Sequence, residues 1–350
     1  MSYIPSPTAL VFTKTSQPII LSLEPDRPNF YVHPDVYLTT DDELKGTGTV
    51  SKADVQKGTL LFIDKPYSII PTAAPGSTTP YSHPLCSRLQ CSQEVDLSSA
   101  STKSCHCITE VVWCNAECQA LGKAEHDFEC SWLKTHSKSI RQEIIEPDFF
   151  SLWLIVRTLA QRDMELSSPP TSTTGPNGTF PCDWNVIRGL RSNEDELQPL
   201  KVQGWRSLAE RYLVGEHSML RHSLNVDEML TLMCQVEINH YDLWTQLIGV
   251  YPLPAEPVER AESCFAYTMY LRTPFLNHSC DPSLMHQPDG NGRMVFHATR
   301  FIPAGEEFSI AYFDLAEPKY ADVKERRAYL EDEFCFTCVC PRCLHESGEN

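Results

Sequence analysis

The sequence predicts an α+β fold in which small β-sheets and a group of helices are held together by bound metal ions. Strand-like segments lie at residues 45–66 and 293–312, and helix-like segments lie between them, from 149 to 249. Strands and helices that are segregated along the chain are typical of α+β proteins. Eleven of the fifteen cysteines fall in two clusters, at 86–130 and 335–343, which predicts metal binding.

Composition and charge narrow the class of protein. The 350 residues carry 29 Lys and Arg against 46 Asp and Glu, a net charge of −17, so direct nucleic-acid binding is not expected. With 41% hydrophobic residues the chain can bury a substantial core, and its length predicts about two structural units. The longest apolar run, at 149–156, is far shorter than the roughly 20 residues that cross a bilayer, and the start has no signal-peptide pattern. We therefore expect a protein without a membrane partner, located in the nucleus and/or the cytoplasm.

The first 84 residues divide into an extended arm and a strand pair. Six prolines within residues 1–36 disfavour helix and predict an extended arm over 1–43. Residues 45–66, KGTGTVSKADVQKGTLLFIDKP, predict two strands joined by a turn, in a unit that spans 44–84. Residues 72–84 form a loop that leads into the first cysteine cluster. The cluster is therefore inserted into the fold rather than appended to it.

The first cysteine cluster, in a unit at 85–131, has the spacing of a double zinc site. It reads C-x4-C-x13-C-x-C-x6-C-x3-C-x7-H-x3-C, and the C-x3-C and H-x3-C steps place two ligands one helical turn apart. Thiolate and imidazole suit zinc, and without a secretory signal disulfides are the weaker explanation. The pattern predicts two closed, structural zinc sites formed by Cys86, Cys91, Cys105, Cys107, Cys114, Cys118, His126 and Cys130.

Helices are expected in the unit at 132–235, and strands return after it. Apolar spacing typical of helices occurs at 149–165, 205–224 and 227–249. Asn225 and Glu228 resemble an N-cap with its reciprocal acid, and the Ser/Thr/Pro/Gly stretch at 167–179 is a linker or surface loop. The later segments predict strands at 293–298 and 307–312 and a short charged helix at 322–332.

A second set of chemical groups lies near the C-terminus. Residues 274–282, PFLNHSCDP, precede the run FCFTCVCPRC at 334–343. That run offers three closely spaced thiolates, at Cys338, Cys340 and Cys343. A fourth ligand for a tetrahedral zinc ion could come from Cys335 nearby or from Cys280 at a distance. In the second case the Asn-His pair before Cys280 would lie close to the metal.

The C-terminal half of the first cluster resembles a MYND zinc finger. The segment WCNAECQALGKAEHDFEC matches the family pattern Y-C-x3-C-Q…H-x3-C, with Trp113 at the position of the aromatic residue. The resemblance implies interleaved sites, one formed by Cys86, Cys91, Cys114 and Cys118 and the other by Cys105, Cys107, His126 and Cys130. MYND fingers are interaction modules that often take proline-containing peptides. The resemblance therefore implies such partners and no catalytic role for the finger.

Three later blocks resemble the SET domain of protein lysine methyltransferases. They are NHSC, GEEFSIAY and the post-SET element FxCxCxRC, in the family's order. The glycines at the start of 45–66 resemble the family's opening strand pair, and a MYND finger inserted after it is the organisation of the SET-and-MYND (SMYD) subfamily. The resemblance covers about residues 44–343. It implies small sheets with knot-like closure, a core SET unit at 236–315 and a zinc-binding post-SET segment at 316–350.

The sequence departs from the subfamily in three places. Thr47 stands where members often have Asn, and SKADV at 51–55 replaces the usual stretch after the glycines, but neither change removes a known catalytic group. The sequence ends seven residues after Cys343. We therefore expect a short form of the fungal type, without the C-terminal helical domain that larger members place over the substrate groove. Substrate selection should differ accordingly.

The resemblance implies a role for each residue that matches a family motif. The main chain at Gly46 and Gly48 would approach S-adenosylmethionine (SAM) closely, because glycine has no Cβ. Tyr312 is the implied active-site tyrosine beside the methyl-transfer channel. The other implied cofactor contacts are Lys45, Asn239, Asn277, His278 and Phe336, the last stacking on the adenine. The post-SET zinc would be bound by Cys280, Cys338, Cys340 and Cys343. Tyr241 and Tyr267 are candidates for the channel wall, although either could be an ordinary core aromatic.

The implied activity is transfer of a methyl group from SAM to a lysine side chain of a histone or another protein. The ligands fill about three four-coordinate zinc sites per chain. A lysine amine at pH 7 is protonated and cannot attack a sulfonium methyl, so the site must favour the neutral amine by desolvation and nearby dipoles. The alternatives are a catalytically silent MYND and SET adaptor, and a SAM-dependent enzyme that acts on a small molecule. The intact motif residues argue against the adaptor.

Overall fold

The computed structural model describes residues 30–42, 46–72, 84–167, 180, 182–217, 223–244, 264–289 and 292–349. Lys45, the arm before residue 30, and most of the predicted loops at 72–84 and 167–179 lie outside the described residues. The strands are β1 Tyr31–Val32, β2 Val36–Asp42, β3 Gly46–Ser51, β4 Leu60–Asp64, β5 Pro66–Pro71, β6 Lys103–Ser104, β7 Val112–Trp113, β8 Tyr241–Trp244, β9 Cys264–Tyr270, β10 Asn277–His278, β11 Leu284–Pro288, β12 Met294–Ala298 and β13 Ser309–Ile310. The helices are α1 Ala116–Leu121, α2 Lys123–Glu143, α3 Glu146–Ser167, α4 Trp184–Gly189, α5 Pro199–Tyr212, α6 Val226–Asn239, α7 Val323–Phe334 and α8 Pro341–Ser347.

Strands from the two ends of the chain pair in the same sheets. A four-stranded sheet has the order β1-β4-β12-β11, and in it Phe62 of β4 lies opposite Phe296 of β12. A three-stranded sheet has the order β5-β9-β8, while β2 pairs with β3 and β6 with β7. The rings of Phe62, Phe296 and Phe308 meet edge to face in the core, with centroids 5.8 Å apart for the first two. These long-range pairings bury the apolar residues that the strands contribute.

The parallel pair β10–β13 positions the candidate site. Asn277 lies opposite Ser309 and His278 opposite Ile310, although thirty residues of chain separate the two strands. After β10 the chain forms β11 and β12, and it then returns to pair with β10 as β13. On its other side the β13 segment is bridged to β3 through Glu307 and Val50. The opening glycines, the NHSC block and the GEEFSIAY block therefore meet in one place.

A buried ion pair fixes the turn that leads into β10. The carboxylate of Asp64, which is fully buried, accepts hydrogen bonds from the guanidinium of Arg272 at 3.0 Å and from the backbone N–H groups of Arg272 and Thr273 at 2.8 and 3.1 Å. A buried charge is tolerated only when such partners replace its hydration. The 3-10 turn Thr273–Phe275 is thereby tied to β4, immediately before Asn277.

The helices form the middle of the chain, where α2 packs on α3, α3 packs on β5, and α5 packs on α6. The predicted N-cap is confirmed, because the Asn225 side chain accepts the N–H groups of Asp227 and Glu228 while Glu228 accepts the N–H of Asn225. Such a capping box satisfies backbone donors that have no partner inside the helix. The predicted charged helix is also present as α7, with Asp322 as its N-cap.

Several predicted boundaries were wrong. The helix expected at 227–249 ends at Asn239, and the next residues form β8, where Tyr241 pairs with Thr268 of β9. A short apolar run suits either structure, and the partner strand decides it. The helix expected at 205–224 ends at Tyr212, and the strand expected at 307–312 is reduced to two residues, β13. Residues 30–42, assigned to the arm, are extended but paired within the fold as β1 and β2.

The described part of the chain forms small, separate sheets, and no knot-like closure is seen among its strands. The cysteine-rich unit follows β5 along the chain and contains β6, β7 and α1. Within the described ranges, none of the helices combines the length and apolar character that a membrane span requires. The architecture is α+β, with helices between two sets of strands.

Candidate active site and zinc centres

The predicted ligands of the inserted unit lie in two groups of four. Within each group the ligand atoms are all within 4.8 Å of one another. Sulfur ligands about 2.3 Å from a zinc ion stand about 3.8 Å apart at the corners of a tetrahedron, and the Sγ atoms of Cys91 and Cys114 are 3.7 Å apart. The groups are Cys86, Cys91, Cys114 and Cys118, and Cys105, Cys107, His126 and Cys130. Each donor set fits one zinc ion, in the interleaved grouping that the resemblance implies.

A buried carboxylate orients the histidine ligand of the second group. Nδ1 of His126 donates to Glu129 at 2.9 Å, which leaves Nε2 facing the Sγ of Cys107 at 3.7 Å. A carboxylate in this position fixes the tautomer of a metal-binding histidine. Glu129 also accepts hydrogen bonds from Trp153 and from Nε of Arg157, each at 2.7 Å. The zinc-binding unit is thus joined to α3 through a charged network in the protein interior.

In the third group of ligands, Cys280 rather than Cys335 lies beside the other three thiolates. The Sγ atoms of Cys280, Cys338, Cys340 and Cys343 lie within 4.8 Å of one another, and all four residues are buried. Cys335 is outside this group and instead ends α7 in the left-handed conformation, with φ of 59°. The Arg326 guanidinium, fully buried, lies 3.8 Å from the Sγ of Cys343 and places positive charge beside the thiolates. This donor set also fits one tetrahedral zinc ion.

His278 connects the third zinc centre to Tyr312. Burial lowers the pKa of His278 to about 3, so the ring is neutral at pH 7 and carries one N–H. Nδ1 accepts the backbone N–H of Tyr312 at 3.0 Å, so the single proton must lie on Nε2. Nε2 is 3.2 Å from the Sγ of Cys280 and donates to it. A zinc ligand thereby fixes the histidine ring, and the ring fixes the backbone of Tyr312.

Most of the predicted site residues line one cavity of about 1730 Å³, which Gly46, Asn277, His278, Tyr312 and Phe336 all reach. Gly48 is not part of this lining. Gly46 has a φ of +74°, a conformation that favours glycine. A Cβ on Gly48 would stand 2.9 Å from Glu307 Oε1 and 3.0 Å from Asn277 Nδ2, so a larger residue there would have to displace these two side chains. The Asn277 amide itself donates to Glu307 at 2.8 Å. Gly46 therefore presents its main chain to the cavity, whereas Gly48 packs against the side chains of Asn277 and Glu307.

Tyr312 lies at the centre of an aromatic group. Its hydroxyl donates to the carbonyl of Leu276 at 3.0 Å, and its ring is 5.0 Å from that of Phe334 and 6.3 Å from that of Phe336, between centroids. Burial raises the pKa of Tyr312 above its ordinary value, so the phenol stays protonated. With its hydrogen held by Leu276, the phenol oxygen keeps its lone pairs available to a bound group.

The remaining predicted site residues, Tyr241, Tyr267 and Asn239, also line this cavity, and each contacts other parts of the protein. Tyr241 contacts Tyr270 and His286 in the core, whereas Tyr267 contacts Phe150 and His240. Both tyrosines therefore serve as packing groups as well as cavity lining. The Nδ2 of Asn239 donates to the carbonyls of Gln235 at 2.8 Å and Arg191 at 3.2 Å. Its amide nitrogen is occupied by the protein, so only its oxygen is left for a ligand.

Sequence reasoning missed three groups in this cavity. Glu307 holds the Asn277 amide, and its position in the GEE motif was a usable signal. The side chain of Arg191 reaches Gly46 from a distant part of the chain, and no local pattern marks it. Nε2 of His240 is 3.3 Å from a carboxylate oxygen of Asp242, both nearly buried. Burial alone would lower the pKa of His240, but the nearby carboxylate of Asp242 raises it to about 9.

Comparison with known proteins identifies the family. The family model described as SET domain matches residues 46–313, which is most of the chain. The match begins at the glycines of β3 and ends just after Tyr312, so it spans the inserted zinc unit and most of the cavity lining, but not Phe334 and Phe336. The chain belongs to the SET-domain family, and several of the relatives it resembles are SET-and-MYND proteins.

Relatives of this group share low sequence identity with the chain. A SET and MYND domain-containing protein of Dictyostelium discoideum is 24% identical over 331 residues, covering 87% of this chain and 59% of the relative. Mouse histone-lysine N-methyltransferase SMYD3 is 27% identical over 301 residues, covering 85% and 59%. The chain thus spans less than two thirds of the length of these relatives. Among solved structures, the SET domain of LSMT bound to lysine and AdoHcy is similar at 11% identity and a TM-score of 0.38, over 87% of this chain and 53% of that one.

Proposed function

We propose that the protein is a SAM-dependent methyltransferase that modifies lysine side chains of proteins. The observation that carries the proposal is the parallel pair β10–β13, which gathers Asn277, His278 and Tyr312 at the wall of one cavity that Gly46 of β3 also lines. Membership of the SET-domain family and the similarity to mouse SMYD3 support the same activity.

The residues that would hold SAM are the main chain at Gly46 and Gly48, Asn277, His278 and the ring of Phe336. The fit rests on the main chain of Gly46, the neutral amide of Asn277 and the ring of Phe336, which face the same cavity. Gly48 lies next to them, against the Asn277 side chain. When bound, SAM supplies an electrophilic methyl group on a sulfonium. Asn239 contributes its side-chain oxygen, and Lys45 stays a prediction because it lies outside the described residues.

The aromatic side chains that line the cavity lower the pKa of the substrate lysine. Tyr312, Phe334 and the channel candidates Tyr241 and Tyr267 form an apolar lining that disfavours a charged amine and so lowers the lysine pKa. The proton is lost to solvent before the amine enters, so no general base is needed. The neutral amine then donates to the Tyr312 oxygen, whose own hydrogen is held by Leu276. That contact aligns the nitrogen lone pair for in-line transfer.

The charge of the cavity supports a basic protein substrate. Among the described residues that line it, eleven are Asp or Glu and four are Lys or Arg. A negative lining raises the local concentration of a lysine-rich segment, and this attraction weakens with added salt.

We also propose that the zinc unit recruits proline-containing partner peptides, since MYND fingers are interaction modules. We propose that the protein acts in the nucleus and/or the cytoplasm.

Transfer of labelled methyl from SAM into a cell extract tests the activity. The extract is separated into protein and small-molecule fractions, and the wild type is compared with Tyr312→Phe and with Tyr329→Phe, a control that removes a phenol hydroxyl outside the cavity. We expect label in protein with the wild type and the control, and at least a tenfold loss with Tyr312→Phe, about the size of one lost stabilising contact. Label confined to small molecules contradicts the proposed substrate class, and SAM binding without transfer would favour an adaptor.

A further inference from the structure

Arg191 places a guanidinium beside the glycine backbone of β3. If Gly46 carried a Cβ, that atom would lie 3.5 Å from Nη2 of Arg191 and 4.0 Å from Cζ. Arg191 and Gly46 both line the cavity, and the positive charge of Arg191 also acts on the Tyr312 phenol. The arginine therefore stands at the place where the cofactor is expected, although it comes from the segment after α4.

Side chains of helix α6 hold the backbone of residues 188–191 in position. Nε2 of the buried Gln235 donates to the carbonyls of Arg188 at 3.1 Å and Leu190 at 2.8 Å. Asn239, one turn further on, donates to the carbonyl of Arg191 at 3.2 Å. Three side-chain hydrogen bonds therefore fix the backbone of residues 188–191. The guanidinium is presented on a rigid support, which reduces the entropy cost of binding a ligand.

The charges around Arg191 leave it available for an anion. Within the described ranges, no carboxylate lies within ion-pair distance of Arg191. The cavity as a whole carries an excess of carboxylates, so an anionic group entering it would be repelled unless a cation stood at its binding point. Arg191 is suited to that role because its planar fork binds a carboxylate through two parallel hydrogen bonds.

We propose that Arg191 binds the α-carboxylate of SAM and thereby sets the affinity and orientation of the cofactor. The inference rests on the proposed function, because it takes SAM as the ligand of this cavity. In this role Asn239 is a positioning residue as well as a cofactor contact, since it holds the Arg191 carbonyl. The methyl group and the adenine are bound by other residues, so Arg191 acts on the carboxylate alone.

Calorimetric binding of two ligands tests this assignment. SAM carries the α-carboxylate, whereas decarboxylated SAM keeps the adenosine, the sulfonium and the amine but lacks that group. We expect Arg191→Gln to weaken SAM binding by about tenfold or more, the effect of losing a charge-assisted pair. Decarboxylated SAM should bind the variant as well as it binds the wild type, or more tightly. Arg191→Lys, which keeps the charge without the fork, should fall between.

Arg188→Gln is the matched control, because Arg188 is exposed, carries the same charge and does not line the cavity. It should bind both ligands as the wild type does, and thermal unfolding of each variant confirms that it is folded. Equal weakening of both ligands by Arg191→Gln, or no change in SAM binding, overturns the role of Arg191 while the proposed activity stands. Failure of the wild type to bind SAM at all overturns the proposed function itself.

Discussion

Replacing Glu129 by Gln tests whether a buried charge that joins the zinc unit to α3 stabilises the folded protein. Glu129 is fully buried, and each of its two oxygens accepts two hydrogen bonds. One oxygen is bonded by His126 and by Nη2 of Arg157, and the other by Trp153 and by Nε of Arg157. Glutamine keeps the size of the side chain but removes its charge and turns one acceptor into a donor.

The expected loss of stability follows from the Arg157 charge that the substitution leaves unpaired. The Arg157 side chain is only 4% exposed, so its charge would lose its main partner in the interior. Breaking a buried ion pair on one side costs about 3–5 kcal/mol, a large part of the roughly 5–15 kcal/mol that stabilises a typical domain. Arg157 also donates to the carbonyls of Ile69 and Ser87. The loss should therefore reach β5 and the first residues of the zinc unit.

Urea unfolding of the zinc-bound protein measures this cost. Asp127→Asn is the control, since Asp127 lies on the same helix but is 58% exposed and pairs only with Lys123. An exposed pair of this kind contributes about 0–1 kcal/mol. If Glu129→Gln is no more destabilising than Asp127→Asn, the network does not lock the unit. A second variant, Glu129→Gln with Arg157→Met, should recover part of the loss because the unpaired charge is gone, and no recovery would also refute the reasoning.

Two further predictions concern the third zinc centre and the buried His240. Cys280→Ser should lower the zinc content from about three ions per chain to about two. It should also suppress methyl transfer, because His278 loses its thiolate acceptor. The control Cys335→Ser should keep all three zinc ions, and an equal loss of zinc in both variants would contradict the ligand assignment. His240 has a pKa raised to about 9, so its contribution to stability is complete below its ordinary pKa of about 6.5 and is lost as the pH rises through about 9. The unfolding free energy of the wild type should fall over this interval by up to about 3 kcal/mol relative to His240→Gln, and parallel pH profiles would refute the ion pair with Asp242.

The residues that sequence reasoning placed correctly are those whose spacing is set by local geometry. His126 and Cys130 stand one turn apart on α2, so their shared metal is visible in the sequence. Cys114 precedes the N-cap of α1 and comes close to Cys118 without lying on the helix. Only the identity of the fourth thiolate of the third site needed the structure, because Cys280 reaches it from another part of the chain. The resemblance implied Cys280, and the side-chain geometry agrees with it.

The features that escaped sequence reasoning arise where distant segments meet. Arg191 is far from Gly46 in the chain, and only the packing of α6 brings the two together. The strand at Tyr241–Trp244 was taken for helix because its pairing partner, β9, follows a long stretch of chain. Pairing of this kind depends on tertiary context, and local propensity does not reveal it.

The most direct test of the central claim is to map the methylated atom in a protein substrate. After reaction with isotopically labelled SAM, the labelled protein is digested and its modified residue is located by mass spectrometry, for the wild type and for Tyr312→Phe. We predict that the label lies on the side-chain nitrogen of lysine, in lysine-rich segments, and that it is lost in Tyr312→Phe while SAM still binds. Label on another residue type, or undiminished labelling by the variant, would contradict the account of this site.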